Sequence, residues 1–315
     1  MIGELNVDII ARGENIAPEW NREKIIDSCD LVMGSSSAIT ACVLAAMGAD
    51  VRFVSVVGDD DFGNFLVREL KRMNVGTEHV QVVSGLRTGC TISLSSSKDR
   101  ALLTVMGTIG DVEPRHIPQE LWQQAAHIHF GSYYLQHQMR PHWASIFELA
   151  KSLGISTSFD AGWDPAEDWD SERLKELLQH ATFFLPSEDE ILAIQGAADL
   201  REAFAKLPAL RGTVAVKRGR EGSVILQPDG TSVVGTSFAV EPIDTTGAGD
   251  SFNAGMIYGH LTGLRGEALL RFANACGALA VLRIGGAGGA PTLEQVKQFM
   301  VDAVQGHMSE MRSNS

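Results

Sequence analysis

EPIDTTGAGDSF, residues 241–252, is the stretch from which the rest of the chain is read. Gly247, Ala248 and Gly249 carry almost no side chain to screen their backbone N–H groups, and the residues after them read as a helix to about residue 260. A helix starting there leaves its first four N–H groups without intrahelical partners, so the turn can receive a phosphoryl group. Asp250 stands directly beside that anion. An acceptor hydroxyl held between its carboxylate and a nucleotide's terminal phosphate can give up its proton while the N–H groups take up charge on the transferred group. The same residues are also good helix-capping chemistry, and taken alone they leave both readings open.

The order of these residues resembles the D-T-x-G-A-G-D-x-F signature of the ribokinase-like, or PfkB-type, carbohydrate kinases. Asp244, Thr245, Gly247, Ala248, Gly249, Asp250 and Phe252 all fall on it. The resemblance implies a ribokinase-like α/β three-layer sandwich with a mostly parallel central sheet, one kinase domain over residues 1–315. It also implies a small β-sheet lid built from insertions at about 10–30 and 80–108, through which such proteins often form homodimers. The implied reaction transfers the γ-phosphate of ATP, with Mg²⁺, to a sugar hydroxyl. Asp250 is then the base and residues 247–249 the seat of the transferring phosphate, while Asp244 turns toward a monovalent cation, potassium, as in some relatives.

Composition sets outer limits. The chain has 315 residues, 44% of them apolar, and can bury a large core. Its formal charge of -13 disfavours a nucleic-acid surface, which needs clustered Lys and Arg. Four cysteines, at 29, 42, 90 and 276, form no CxxC pair, and reduced cytoplasmic thiols fit best. No charged apolar leader or bilayer-length apolar run is present, so secretion and membrane insertion are not expected.

From the N-terminus, LNVDII at 5–10 reads as a strand interrupted by Asp8, an acid that is either an edge position facing water or a polar feature at a strand end, where open sheets hold ligands. Gly3, Asn6 and Asp8 match the family's G-x-x-N-x-D sequence, whose acid holds sugar hydroxyls. GSSSAITACVLAAMGAD at 34–50 predicts a polar turn and a small-residue helix. By resemblance the turn lines the sugar site, with Gly34 retained, Ser35 and Ser37 in place of glycines, and a packing Ile39 where an Asn is common. VRFVSVV at 51–57 predicts a strand, and GDDDFG leads into an amphipathic helix whose Phe62, Phe65, Leu66, Leu70 and Met73 face inward. Gly58 and Asp59 are secondary sugar-site candidates by resemblance, and the triple acid is equally a solvated helix start. Segments 81–84, 88–95 and 101–106 predict a small antiparallel sheet. Arg12, Arg87 and Arg100 in this region offer contacts to a charged substrate, though surface arginines are more often simply solvated.

Beyond residue 109 strands and helices alternate: strand 127–135, helix 142–153, strand 155–160, helix 171–180 capped by Asp170, then ATFFLPSEDE as a strand and turn. This argues for a parallel sheet covered on both sides. His127 and His129 read as strand residues, since no H-E-x-x-H or companion Cys cluster accompanies them. In FDAGWDPAEDW, Asp160 is retained from the family's F-D-P-N-x-R, while Gly162 takes the Asn place and Asp164 the Arg place, which favours a neutral sugar over an acidic one. Ser187 and Glu190 form a capping box. They also resemble the N-x-x-E element that organises Mg²⁺ through water, with Ser187 replacing the Asn. In TVAVKRGREGSVILQ, Gly219 and Gly222 fit a turn or let a nucleotide approach the backbone, and Lys217 occupies the family's Thr position beside the phosphates. Asn274, within an apolar helix face, needs a partner if buried, and a nucleotide base is one candidate.

No P-loop and no dinucleotide fingerprint occurs. The sequence therefore reads as an ATP- and Mg²⁺-dependent sugar kinase. The alternatives are a nucleoside kinase and a catalytically silent sugar- or nucleotide-binding regulator, the latter suggested by the substitutions at Ser35, Ile39, Gly162 and Ser187.

Overall fold

The computed structural model describes residues 1–96, 100–283 and 285–313. In chain order the elements are β1 (Asn6–Arg12), β2 (Ser28–Met33), α1 (Ser36–Ala46), β3 (Arg52–Gly58), α2 (Asp61–Arg72), β4 (Gly76–Val83), β5 (Gly89–Ser95) and β6 (Arg100–Val105). There follow α3 (Leu121–Gln124), β7 (His127–Phe130), α4 (Trp143–Ser152), β8 (Ser156–Phe159), α5 (Ser171–His180), β9 (Phe183–Phe184), α6 (Glu188–Gln195) and α7 (Leu200–Lys206). The last third contributes β10 (Thr213–Lys217), β11 (Ser223–Leu226), β12 (Ser232–Gly235), α8 (Ala248–Leu261), α9 (Gly266–Ala280) and α10 (Leu293–Ser313).

The largest sheet has the order β12-β11-β10-β9-β8-β7. Its β7, β8, β9 and β10 are parallel, and β11 and β12 return antiparallel. Residues 1–3 extend it: the Ile2 N–H donates to the His129 carbonyl at 3.0 Å, and Ile2 bridges in parallel to Val54 of β3, which pairs in parallel with β4. β1 does not join this sheet. It is the second strand of a separate four-stranded sheet, β2-β1-β5-β6. The expected strand at 81–84 is divided from that small sheet as well, because residues 81–83 are the end of β4 and follow the register of β3.

Burial explains the layering. Phe130 and Phe159 on β7 and β8 meet Trp143 and Phe147 of α4, with Phe130 stacked on Trp143 at 3.7 Å between ring centroids. Truncating such a buried aromatic typically costs about 3–5 kcal/mol. On the other face, Phe183 and Ile225 pack on Met256 of α8 and Leu270 of α9. The α2 helix presents buried Leu66 and Leu70 and is capped by Asp60, which accepts from the Gly63 N–H at 2.8 Å. The expected cap at Asp170 differs: its side chain makes no capping bond and instead accepts from Arg140 (2.8 Å) and Arg173 (3.1 Å), because two cations outcompete an N–H donor. His127 and His129 donate to or accept from Ser156 and Ser158 on the neighbouring strand. Among the described residues no helix is long and apolar enough to cross a membrane.

Candidate active site

The EPIDTTGAGDSF stretch forms a loop and the first turn of α8. Gly247 is the helix N-cap with φ 78°, and a Cβ there would lie 2.6 Å from the Cα of Gly286, so only glycine fits. Ile39, in place of a polar residue, is buried beneath this turn, its Cγ2 3.2 Å from that same position. Asp244 pins the loop by accepting from the Thr246 N–H (2.9 Å) and the Gly285 N–H (3.1 Å), with the Arg12 guanidinium 3.7 Å away. Burial opposes its charge, but these N–H groups and Arg12 win and hold its carboxyl below the usual range. Among the described residues no side chain caps α8, and the Ala248 N–H donates only to the Thr245 carbonyl at 3.3 Å. The helix thus opens with N–H groups available to an anion.

Asp250 sits in that first turn, part-buried. Burial, repulsion from Asp160 and repulsion from Glu4 push its carboxyl up to about 7, against the lowering effects of a hydrogen bond from Ser36 and of Lys217. The Ser36 hydroxyl donates to Asp250 Oδ1 at 2.6 Å. A carboxyl titrating near neutrality is matched to accepting a proton from an alcohol during transfer.

Three strand ends converge on the same place, as ligand sites of open sheets require. Lys217, at the end of β10, pairs its ammonium with Asp160, just past β8. Asn253 of α8 donates to the same carboxylate oxygen at 2.7 Å, and the Gly162 N–H reaches the other at 3.2 Å. Lys217 Nζ lies 3.5 Å from where a Gly249 Cβ would stand, which puts a fixed cation against the anion turn. Burial works against that charge, but Asp160, Glu190 and Asp250 together keep the lysine above its ordinary range. Glu190 is raised, first by burial and then by Asp160. The capping box is present: the Ser187 N–H donates to Glu190 Oε2 at 2.7 Å and the Glu190 N–H to Ser187 Oγ at 3.2 Å. The Ser187 hydroxyl is therefore spoken for by the helix, while Glu190 Oε1 forms no hydrogen bond among the described residues.

Beyond Lys217 opens a cavity of about 590 Å³ lined by Gly219, Gly222, Phe238, Val240 and Asn274. Its walls are mostly apolar, suited to a nucleobase. The Asn274 amide donates to the Thr236 carbonyl at 3.0 Å, so this buried asparagine shapes the cavity wall as well as lining it.

On the opposite side of Asp250, Asn6 donates to Asp8 Oδ1 at 2.9 Å. Gly34 lies against the pair: a Cβ there would meet Asp8 Oδ1 at 2.3 Å. Two residues on, Ser36 touches Asp250, so one turn joins Asp8 to Asp250. Ser35, expected at the acceptor, is buried and its hydroxyl serves Glu4 and the α1 cap. Asp59 is exposed just past the end of β3, whereas Asp60 caps α2 and binds Thr88. Asp164 is buried and accepts from the N–H groups of Ala166, Asp168 and Trp169, so its carboxylate is engaged by its own loop. Arg12 is engaged with Asp30 and Asp244, Arg87 is exposed, and the Arg100 side chain lies outside the described residues. Sequence reading missed Glu4, Ser36 and Asn253. Glu4 alone carried a signal, an acid inside an apolar strand start, while a serine among three serines and one asparagine in a helix carry none.

Comparison with known proteins bears on this arrangement. A profile described as pfkB family carbohydrate kinase matches residues 1–293. A ribokinase of Bacillus subtilis (strain 168) is 30% identical over 301 residues, spanning 95% of this chain and 98% of its own length. An ATP-dependent ribose-1-phosphate kinase of Halopiger xanaduensis is 32% identical over 304 residues, spanning 95% and 96%. An E. coli protein assigned as ribokinase II, solved in complex with ATP and Mg²⁺, superposes with a TM-score of 0.84 at 25% identity, covering 96% of this chain and 98% of that one.

Proposed function

The chain belongs to the pfkB family of carbohydrate kinases, and we propose that it transfers the γ-phosphoryl group of ATP to a hydroxyl of a neutral sugar with Asp250 as general base. The observation that carries this reading is the placement of Asp250, its carboxyl poised near neutrality, inside the uncapped N-terminal turn of α8. The base and adenosine of ATP fill the apolar cavity beside Asn274, and the Gly219–Gly222 turn lets the phosphates run toward Lys217. In the transfer, the sugar oxygen bonds to the γ-phosphorus and the bond from that phosphorus to the β,γ-bridging oxygen breaks. The hydroxyl proton passes to Asp250, and ADP leaves with the bridging oxygen. N–H groups of the 247–249 turn and the Lys217 ammonium face the charge that develops on the moving phosphoryl group.

Mg²⁺ belongs to the same proposal, with Glu190 holding it through water. The fit rests on Glu190 Oε1, a part-buried carboxylate oxygen without a hydrogen bond among the described residues, close to Lys217 and Asp160. No cluster of three His, Cys, Asp or Glu able to hold a metal occurs among the described residues, which suits an ion held mainly by phosphate oxygens and water. When bound it neutralises phosphate charge. At Asp244 the nearby cation is the Arg12 guanidinium, which supplies within the chain part of the charge that potassium would bring there.

The acceptor side supports a neutral polyol, since Asp8 and Asp250 flank it and Glu4 lies behind it. We also read the four-stranded sheet as a lid and a homodimer contact. Side chains alternate across a strand, so the face opposite Asp8 carries the cross-strand row Leu31, Ile9, Ile92 and Leu103, with Leu31 45% and Leu103 59% exposed. Incubating the protein with Mg-ATP and a panel of neutral sugars, sugar phosphates, acidic sugars and nucleosides, and measuring acceptor-dependent ADP release, tests the reaction. Release with no member of the panel would count for a silent binding protein.

A further inference from the structure

The three-serine turn at 35–37 does more than cap a helix. We propose that Ser36 is a positioning residue for phosphoryl transfer: it holds Oδ1 of Asp250 and so reserves Oδ2 for the incoming hydroxyl, while Glu4 anchors the serine on either side of it. The proposal rests on Asp250 being the base.

Ser35 adopts φ 71° and ψ 119°, a backbone region that residues other than glycine rarely enter. It is kept there by its own hydroxyl, which lies 2.7 Å from the Glu4 carbonyl and 3.1 Å from Glu4 Oε1 and accepts from the Ala38 N–H at 3.0 Å. Ser37 donates to Glu4 Oε2 at 3.0 Å and accepts from the Gly131 N–H at 2.9 Å. Gln136 completes the enclosure, donating to Glu4 Oε2 at 3.3 Å and to the Gly131 carbonyl at 2.6 Å. Glu4 is 1% exposed, and a buried carboxylate is tolerated only when its oxygens are satisfied in this way. Both neighbours of Ser36 are thus fixed to one buried group.

Ser36 is also held from the far side. A Cβ on Gly131 would approach its Oγ to 2.5 Å, so the residue that follows β7 packs directly against the serine. One turn later Thr40 donates to the Asp250 carbonyl at 3.3 Å, tying α1 to α8 a second time. Asp250 Oδ2 forms no hydrogen bond among the described residues. A neutral donor on Oδ1 orients the carboxylate and favours its charged form, the form that can take a proton.

Ser36→Ala removes this bond without adding bulk beside Gly131. The expected result is a loss of about tenfold in kcat, the size of one hydrogen bond to a charged group, with the acceptor KM unchanged and the acid limb of the pH profile moved upward. ¹³C-carboxyl NMR of aspartate-labelled protein, without substrates, should show the Asp250 titration moving to higher pH in the same variant. Glu4→Gln should lower kcat in the same direction by less, while the loss of the Glu4 repulsion moves the Asp250 titration downward. An unmoved Asp250 titration in Ser36→Ala overturns the proposal, whether kcat stays at the wild-type value or falls through a merely structural effect. If instead Asp250→Ala retains full turnover, the assignment of the base itself is wrong; an inactive Asp250→Ala beside a wild-type-like Ser36→Ala sinks only the role of Ser36.

Discussion

The Lys217 ammonium and the Asp160 carboxylate form an ion pair against the anion turn, with Asn253 donating to the same carboxylate oxygen. Asp160 is 5% exposed, so removing its partner leaves a buried charge with only amide and N–H donors. Lys217→Ala is expected to destabilise the fold by about 3 kcal/mol and to lower kcat/KM for ATP by about a hundredfold, the scale of losing one preorganised charge at the transferred group. Urea unfolding and steady-state kinetics check the two halves separately. Wild-type ATP kinetics in the variant would remove Lys217 from the phosphate site.

Gly247→Ala is expected to disrupt nucleotide use more than folding. The φ of 78° and the 2.6 Å approach to Gly286 mean that the turn must open to accept a methyl group. The strain is about 1–3 kcal/mol, and it falls on the N–H groups proposed to meet the phosphate. A raised Kd for ATP by calorimetry, with a modest drop in Tm, is the expected pattern.

The pH dependence of activity follows from Asp250. Its carboxyl is pushed up to about 7, chiefly by burial, and only the ionised form accepts the proton. The value of kcat/KM should therefore be flat at high pH and fall about tenfold per pH unit below about pH 7. Asp250→Asn should lose this limb along with about a hundredfold or more of the rate. A wild-type limb near pH 4 would mean that a different group is the base.

Stability has a separate acid sensitivity. His129 is fully buried, its Nε2 has no hydrogen-bond partner among the described residues, and burial pushes its titration down to about 3. An unfolded histidine takes up its proton near pH 6.5, so below that pH the unfolded state binds a proton the folded state refuses. This contribution costs nothing above the unfolded value and grows as pH falls from there toward the folded one, with a limiting slope of about 1.4 kcal/mol per pH unit. Glu4, Glu190 and Asp250 are raised and act in the opposite sense, stabilising as pH falls. The test is therefore a difference: the stability gap between wild type and His129→Gln, followed by urea unfolding from pH 8 to 4.5, should move against wild type as pH falls.

What could be read in the sequence was what is local. The Gly-Ala-Gly turn, the 171–180 helix and the Ser187–Glu190 box depend on residues a few positions apart, and the structure has them where the spacing put them. Sheet membership was harder, because an apolar strand such as LNVDII carries no mark of which sheet it will enter; β1 lies in the small sheet through its pairing with β2 and β5. The site residues that escaped, Glu4, Ser36 and Asn253, act across separations of 31 to 214 positions. Asp164 carries a local role that its place in a motif did not mark, since its carboxylate accepts from N–H groups of its own loop.

The most direct test of the central claim is ³¹P NMR of phosphoryl transfer from Mg-ATP to sugar acceptors by wild type and Asp250→Ala, with ATP and sugar binding measured on both. The expected result is a sugar phosphate ester formed by wild type and lost in the variant, which still binds both substrates. Ester formation by Asp250→Ala at the wild-type rate would contradict the assignment of Asp250 as the base on which the mechanism stands.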